Sequence, residues 1–187
     1  MAAANVGKGV DLNRLGELVE RLKEHPGAGV VKCEARTRWE GGLRTHTEVS
    51  HWWRDGALHD HKGRAHTVKT DMPEALLGGD AGPTGMELVL AALASSLAVG
   101  VAMQAAQRGV KLEALELNVQ GDLDLRMAVG ATERVHPGLQ VVRVKMTAKA
   151  DASDEVLAEI REAAERSSPV FNTLARPVKV IATLARG

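Results

Sequence analysis

Apolar residues first recur at Leu12, Leu15, Leu18, Val19 and Leu22, the spacing of one helical stripe, with Asp11 placed to cap its start. His25-Pro26-Gly27 stops that helix. From Val30-Val31 the period changes to two. Val31, Cys33, Ala35, Thr37 and Trp39 alternate with charged residues, which predicts a single half-buried strand ending at the turn Glu40-Gly41-Gly42. A second strand is expected over about residues 44–53, closing at the hairpin signal Asp55-Gly56. Residues 57–70 are polar and read as one or two short strands. Residues 77–83 are a loop rich in glycine. Thr84 and Glu87 then stand at capping-box spacing before a long apolar helix that should end near Arg108, with Gly109 as its left-handed cap.

Beyond it, Leu115, Leu117, Val119, Gly121, Leu123 and Leu125 alternate with polar residues as a strand. Its partner is marked by Val142, Val144, Met146 and Ala148, after a turn at Pro137-Gly138. Ser153 caps a helix to about Arg166, and Ser168-Pro169 opens a further turn or short helix. Val178, Val180, Ala182 and Leu184 predict a last strand. The order strands, long helix, strands, helix, strand indicates the α+β class. The first helix reads as an appendage over residues 1–28, ahead of a main domain over residues 29–187.

Composition narrows the function classes. The chain has 187 residues, with Lys+Arg and Asp+Glu both at 24. A binder of nucleic acid working through charge would carry a basic excess, so none is expected as a partner. The single Cys excludes an intrachain disulfide and a Cys-based metal cluster, and it suits a reducing cytosol. The opening residues lack a secretory pattern, so a cytoplasmic location is expected. With three Trp, one Phe and no Tyr, the core must be built from Ala, Val and Leu. Residues 88–106 carry no charge and are long enough to span a membrane. Their richness in Ala, together with Ser95, Ser96, Gly100 and Gln104, favours instead the central helix of a core or an oligomer. No membrane partner is expected.

One set of segments carries a family pattern. Leu77-Gly78-Gly79, Gly82-Pro83, the run from Glu87 through Ser95-Ser96-Leu97, Gly121-Asp122-Leu123-Asp124 and Ser168-Pro169-Val170-Phe171 resemble, in order and spacing, the signature of the OsmC/Ohr family. The resemblance runs from about residue 38 to residue 184 and leaves out the N-terminal helix. It implies an α+β fold with a long buried central helix, and an intertwined homodimer with two sites at the subunit interface. It also implies reduction of organic hydroperoxides by two cysteines. One, on the central helix, attacks the peroxide as a thiolate and becomes a sulfenic acid; the other resolves it to a disulfide, which a dithiol reopens. An Arg and a Glu assist the thiolate.

The chain departs from that pattern at the decisive positions. The two redox cysteines match Ser96 and Ser168, and the activating Glu matches Met86. Arg44 can match the activating Arg, with Arg36 and Arg38 as competitors. A thiol titrates near 8.5 and can be pushed lower, whereas a Ser hydroxyl stays neutral and cannot cycle through a sulfenic acid. The expectation is therefore an OsmC/Ohr-like stress-response protein that binds a small apolar ligand in a dimer-interface pocket, lined near Met86, Ser96 and Ser168 from the two chains, without thiol-peroxidase turnover and without a cofactor. The alternative is an active organic-hydroperoxide reductase, with Cys33 recruited or Ser96 an introduced residue. The third is a hydrolase using Ser96 or a metal, although Ser96 lacks a nucleophile elbow and a base at any known spacing.

The remaining candidates have plainer readings. Cys33 shares the apolar face of its strand with Val31 and Ala35 and is expected to be buried. Trp39 should face inward, while Trp52 and Trp53 point to opposite faces, leaving one for an interface. His46, His51, His59, His61 and His66 cluster in sequence. His59 and His61 would share a face of an extended chain and form a metal pair. Interleaved Asp60, Lys62 and Arg64 argue for a solvated stretch, so no metal site is expected.

Overall fold

The computed structural model describes residues 10–50, 52–54, 57–59 and 66–186, with backbone alone for Trp52, Leu58 and His59. The turn expected at Asp55-Gly56, His51, His61 and the His59 side chain lie outside the described residues. The chain forms two compact units, Asp11–Val89 and Leu90–Gly187, and Val10 belongs to the second.

In the first unit the expected amphipathic helix is α1, Leu12–Glu24, capped by the Asp11 carboxylate, which accepts from the Asn13 and Arg14 N–H groups. The strand expected over residues 31–40 is two strands. β1 (Val31–Cys33) and β2 (Arg36–Gly41) lie in different sheets, and likewise the second expected strand divides into β3 (Arg44–Val49) and β4 (Trp52–Arg54). Alternation reports which face a side chain takes. It does not report where the chain leaves one sheet for another. β5 (Ala57–His59) completes an antiparallel sheet of order β1-β4-β5. β6 (His66–Thr70) completes one of order β2-β3-β6. Cross-strand hydroxyl pairs hold the second sheet: Thr37 with Thr47 at 2.9 Å and Thr45 with Thr70 at 2.7 Å. Both burial expectations on the first strand fail. Cys33 is exposed, and Trp39 is 74% exposed, its indole N–H donating to the Gly42 carbonyl across the turn. Among the described residues nothing buries the face that the alternation assigns to them.

The loop before the long helix is closed by Asp71. Its buried carboxylate accepts from the N–H groups of Met72, Gly79 and Ala81. A side chain at Gly78 would overlap the Met72 carbonyl, so the loop can fold back this tightly only on glycine. α2 (Gly85–Gln107) then starts from the expected capping box. The Thr84 N–H donates to the Glu87 carboxylate at 2.7 Å, and the Glu87 N–H donates to the Thr84 hydroxyl at 3.2 Å. Gly109, at φ +70°, ends it as expected.

The second unit packs α2, from Leu90 onward, with a long hairpin of β7 (Leu112–Leu123) and β8 (Leu139–Ala150) and with α3 (Asp154–Ser167). In the register Leu115 faces Ala148, Leu117 faces Met146 and Val119 faces Val144, which gathers the apolar residues on one face. The other face carries the ion pairs Glu113–Lys149 and Asp122–Arg143. The core joins Val101 and Ala105 of α2 to Ile160 and Ala164 of α3, with Leu115 and Met146 against it. It is built from small aliphatic residues, as the shortage of aromatics requires. Gly100 lets α2 and α3 approach, since a Cβ there would lie 3.1 Å from the Ala164 Cβ.

Leu93, Leu97, Val101 and Ala105 form the buried stripe of α2 at strict i+4 spacing, while Val99 on another face is 56% exposed. The helix is long and apolar enough to cross a membrane by length and composition. α4 (Pro169–Ala175) follows Ser168. The last expected strand is not one: residues 177–186 hold no strand or helix and are exposed throughout, Leu184 at 98%. A strand needs an edge to pair with, and among the described residues the segment pairs with none.

Candidate functional site

Two serines far apart in sequence meet in the second unit. Ser96 sits midway along α2, and Ser168 occupies the junction between α3 and α4. Their hydroxyl oxygens are 2.8 Å apart. Local rules place each of them. Ser168 is the N-cap of α4, with Pro169 at the first helical position, and its Oγ accepts the Phe171 N–H at 3.1 Å. Asn172 ties the same corner down by donating its amide to the carbonyl oxygens of Glu165 and Ser168. Ser168 is 2% exposed, whereas Ser96 is half-buried.

Beside the pair lies an open hollow of about 530 Å³. Ala92, Val99, Gly100, Met103 and Gln104 of α2 form one wall, and Ser167, Pro169 and Val170 form the other. From Ser96 the α2 residues stand at −4, +3, +4, +7 and +8, one face of a helix. That spacing was present in the sequence; what could not be read there was that the α3–α4 corner faces it. None of the lining residues is ionisable at neutral pH. Among the described residues no base lines the hollow to activate Ser96, so its geometry adds no support for Ser-based hydrolysis.

The other expected site residues are placed elsewhere. Met86 lies in the first turn of α2, in the first unit, and is not among the residues lining this hollow. Arg44 opens β3, also in the first unit, and shares a smaller hollow of about 230 Å³ with Gly41, Leu43, Asp71, Leu77 and Gly79. Burial alone would raise the Asp71 carboxyl. Its three backbone N–H donors and the nearby Arg44 charge outweigh that, and hold it below the ordinary carboxylate range. Glu87 is likewise held low by the Thr84 N–H and hydroxyl, so its charge serves the helix start. Cys33 lies in the first unit on β1, exposed. Among the described residues no three of His, Cys, Asp and Glu gather as a metal site, and His46 stands 3.6 Å from Glu40. The linear pattern does not single out Asp71; its only signal there is an acidic residue just ahead of a glycine-rich loop.

The comparisons with known proteins agree with one another. A family model described as OsmC-like protein matches residues 78–183. Among solved structures, a putative osmotic stress induced and detoxification response protein from Psychrobacter arcticus superposes with a TM-score of 0.56 at 15% identity, covering 74% of this chain and 85% of that one. An OsmC-like protein from Mycoplasma pneumoniae gives 0.55 at 14%, covering 78% and 87%. An organic hydroperoxide resistance protein from Legionella pneumophila gives 0.51 at 19%, covering 76% and 88%. At such identities the likeness is one of fold. No curated protein sequence matches the chain.

Proposed function

Because the chain belongs to the OsmC-like family, we propose that it is a cytoplasmic stress-response protein of the organic-hydroperoxide type whose redox pair is replaced by Ser96 and Ser168, and that it binds a small apolar molecule without thiol-peroxidase turnover. The observation that carries this reading is the 2.8 Å contact between the two hydroxyls beside a largely apolar hollow. Two side chains that close are arranged as a reacting thiol and its resolving partner would need to be. With oxygen in place of sulfur the arrangement keeps its shape and loses its electron chemistry. A hydroxyl offers neither a thiolate near neutral pH nor a reversible sulfenic acid. The one sulfhydryl, Cys33, is exposed on a short strand of the first unit, with no partner thiol anywhere in the chain.

The protein acts as a homodimer in this reading. The exposed apolar side of α2 and the segment 177–186, with Val180 at 83% exposure, are the support. Among the described residues the β7–β8 sheet has two strands and the segment 177–186, with its alternating apolar residues, pairs with neither, so an open sheet edge and a segment able to fill it occur in the same chain. Exchange between two copies satisfies both and closes the hollow beside Ser96. Packing of α2 against α3 and the hairpin supports a helix of a soluble core over a membrane span.

A stopped-flow assay with cumene hydroperoxide and a dithiol tests the function. The purified chain is expected to show no turnover above the background, and Cys33→Ala is expected to change nothing. The double variant Ser96→Cys, Ser168→Cys is expected to form a disulfide on oxidation. Brisk peroxide consumption by the unaltered protein would overturn the reading.

A further inference from the structure

We infer that α1 is a self-recognition element: two copies of the chain pair antiparallel through its apolar stripe, with Leu18 against Leu18 and Gly16 against Gly16 at the centre of the contact. The helix lies in the first unit and outside residues 78–183, the segment that the family model matches, so the pairing belongs to this chain rather than to the family fold.

Two observations lead there, and the first is a face without cover. Leu12, Leu15, Val19 and Leu22 recur at alternating steps of three and four, the seam of a coiled coil, with Leu18 beside them. Yet no residue of α1 is buried, and Leu18 and Val19 are 39% and 37% exposed. A helix of 13 residues is marginal in water and takes its stability from burial of such a stripe. The second is a glycine that one chain by itself does not require. Gly16 stands inside α1, where glycine is the poorest residue short of proline. A Cβ at Gly100 would crowd Ala164, and one at Gly78 the Met72 backbone, whereas a Cβ at Gly16 would meet nothing within 4 Å. The missing side chain serves the helix only if a body outside the chain approaches it there.

The stripe itself specifies that body. Turned end for end, a second α1 sets Leu12 against Leu22 and Leu15 against Val19, twice each by symmetry. In that register one flank of the seam pairs Leu18 with Leu18, and the other pairs Gly16 with Gly16, where two backbones can come close. Asp11 of each copy falls beside His25 of the other. The Asp11 carboxylate takes both cap bonds, from the Asn13 and Arg14 N–H groups, through Oδ1, so Oδ2 is left to accept an imidazole N–H. A parallel pair would instead set Leu18 against Lys23 and Asp11 against Gly16. A lipid surface is the poorer match. Arg14, Arg21 and Lys23 are balanced along α1 by Glu17, Glu20 and Glu24, whereas helices that lie on membranes carry a basic polar face.

The test is disulfide trapping on the full-length protein with Cys33→Ala, which leaves no other thiol. A contact of under two heptads is weak by itself, and trapping reads it where sedimentation would not. In that background Leu18→Cys is expected to give a crosslinked dimer on mild oxidation several-fold faster than Glu17→Cys, which lies on the outer face. Adding Gly16→Lys is expected to bring the Leu18→Cys rate down to the Glu17→Cys level. Circular dichroism should then show no loss of helix, since lysine is the better helix former. Equal rates at positions 17 and 18 would overturn the inference, as would a Leu18→Cys rate indifferent to Gly16→Lys. Faster trapping through Val19→Cys than through Leu18→Cys would overturn it by showing a parallel pair. Binding to vesicles of anionic phospholipid that Leu18→Glu abolishes would assign the stripe to a lipid surface and overturn it as well.

Discussion

At the scale of single residues, the chain uses short polar contacts to end and join its elements. Asp11, Thr84, Ser153 and Ser168 each accept a backbone N–H where a helix begins. Such caps contribute about 1 kcal/mol apiece, and all four were legible because capping is a local rule. Asp124 does a similar task in the loop after β7. The Arg126 side chain and N–H bind its carboxylate and hold its pKa at about 2, against an ordinary 3.8. A carboxyl depressed on folding stabilises the native state above its ordinary pKa and loses that contribution as the pH falls through the depressed value. Arg126→Ala is therefore expected to lower stability near neutral pH, with the difference from the unaltered protein fading between about pH 4 and about pH 2. Denaturant melts across that range, with carboxyl NMR to follow Asp124, check the sign. A deficit that grew toward acid would contradict it.

Between elements, the decisive contacts are those that small residues permit. Gly100 stands where α2 crosses α3, and any added side chain there meets the Ala164 Cβ and backbone. Gly100→Val is expected to destabilise by about 1–3 kcal/mol through overpacking, readable in urea unfolding. A neutral result would mean the crossing is looser than described. The same crossing sets the wall of the hollow, since Gly100 lines it. Helix periods predicted α2, α3 and the start of α4 well, because 3.6-residue spacing and caps are properties of neighbouring residues. Strand alternation did less well. It ran β1 into β2 and β3 into β4, and it assigned Cys33 and Trp39 to a buried face that stays open.

For the whole molecule, the open question is what covers the apolar surface that one chain leaves bare. Val99 on α2 and Val178, Val180, Ile181 and Leu184 near the C-terminus are all exposed. If a second copy covers them, the protein sediments as a dimer at micromolar concentration, and deletion of residues 177–187 shifts it to monomer with a lower melting temperature. A monomeric full-length chain in sedimentation velocity would count against the homodimer.

By itself the sequence determined the class of fold, the helices with their caps, and the presence of oxygen rather than sulfur at positions 96 and 168. Those follow from local periodicity, local hydrogen bonding and atomic composition, none of which needs a third dimension. Only the tertiary structure decided that the two hydroxyls touch, that Ser168 is sealed while Ser96 faces a hollow, that the wall of that hollow is uncharged, and that Cys33 lies exposed on a strand of the other unit. Each of these is a relation between segments separated by tens of residues, fixed by how α2 packs or by which strands pair, and a linear pattern carries no measure of such distances.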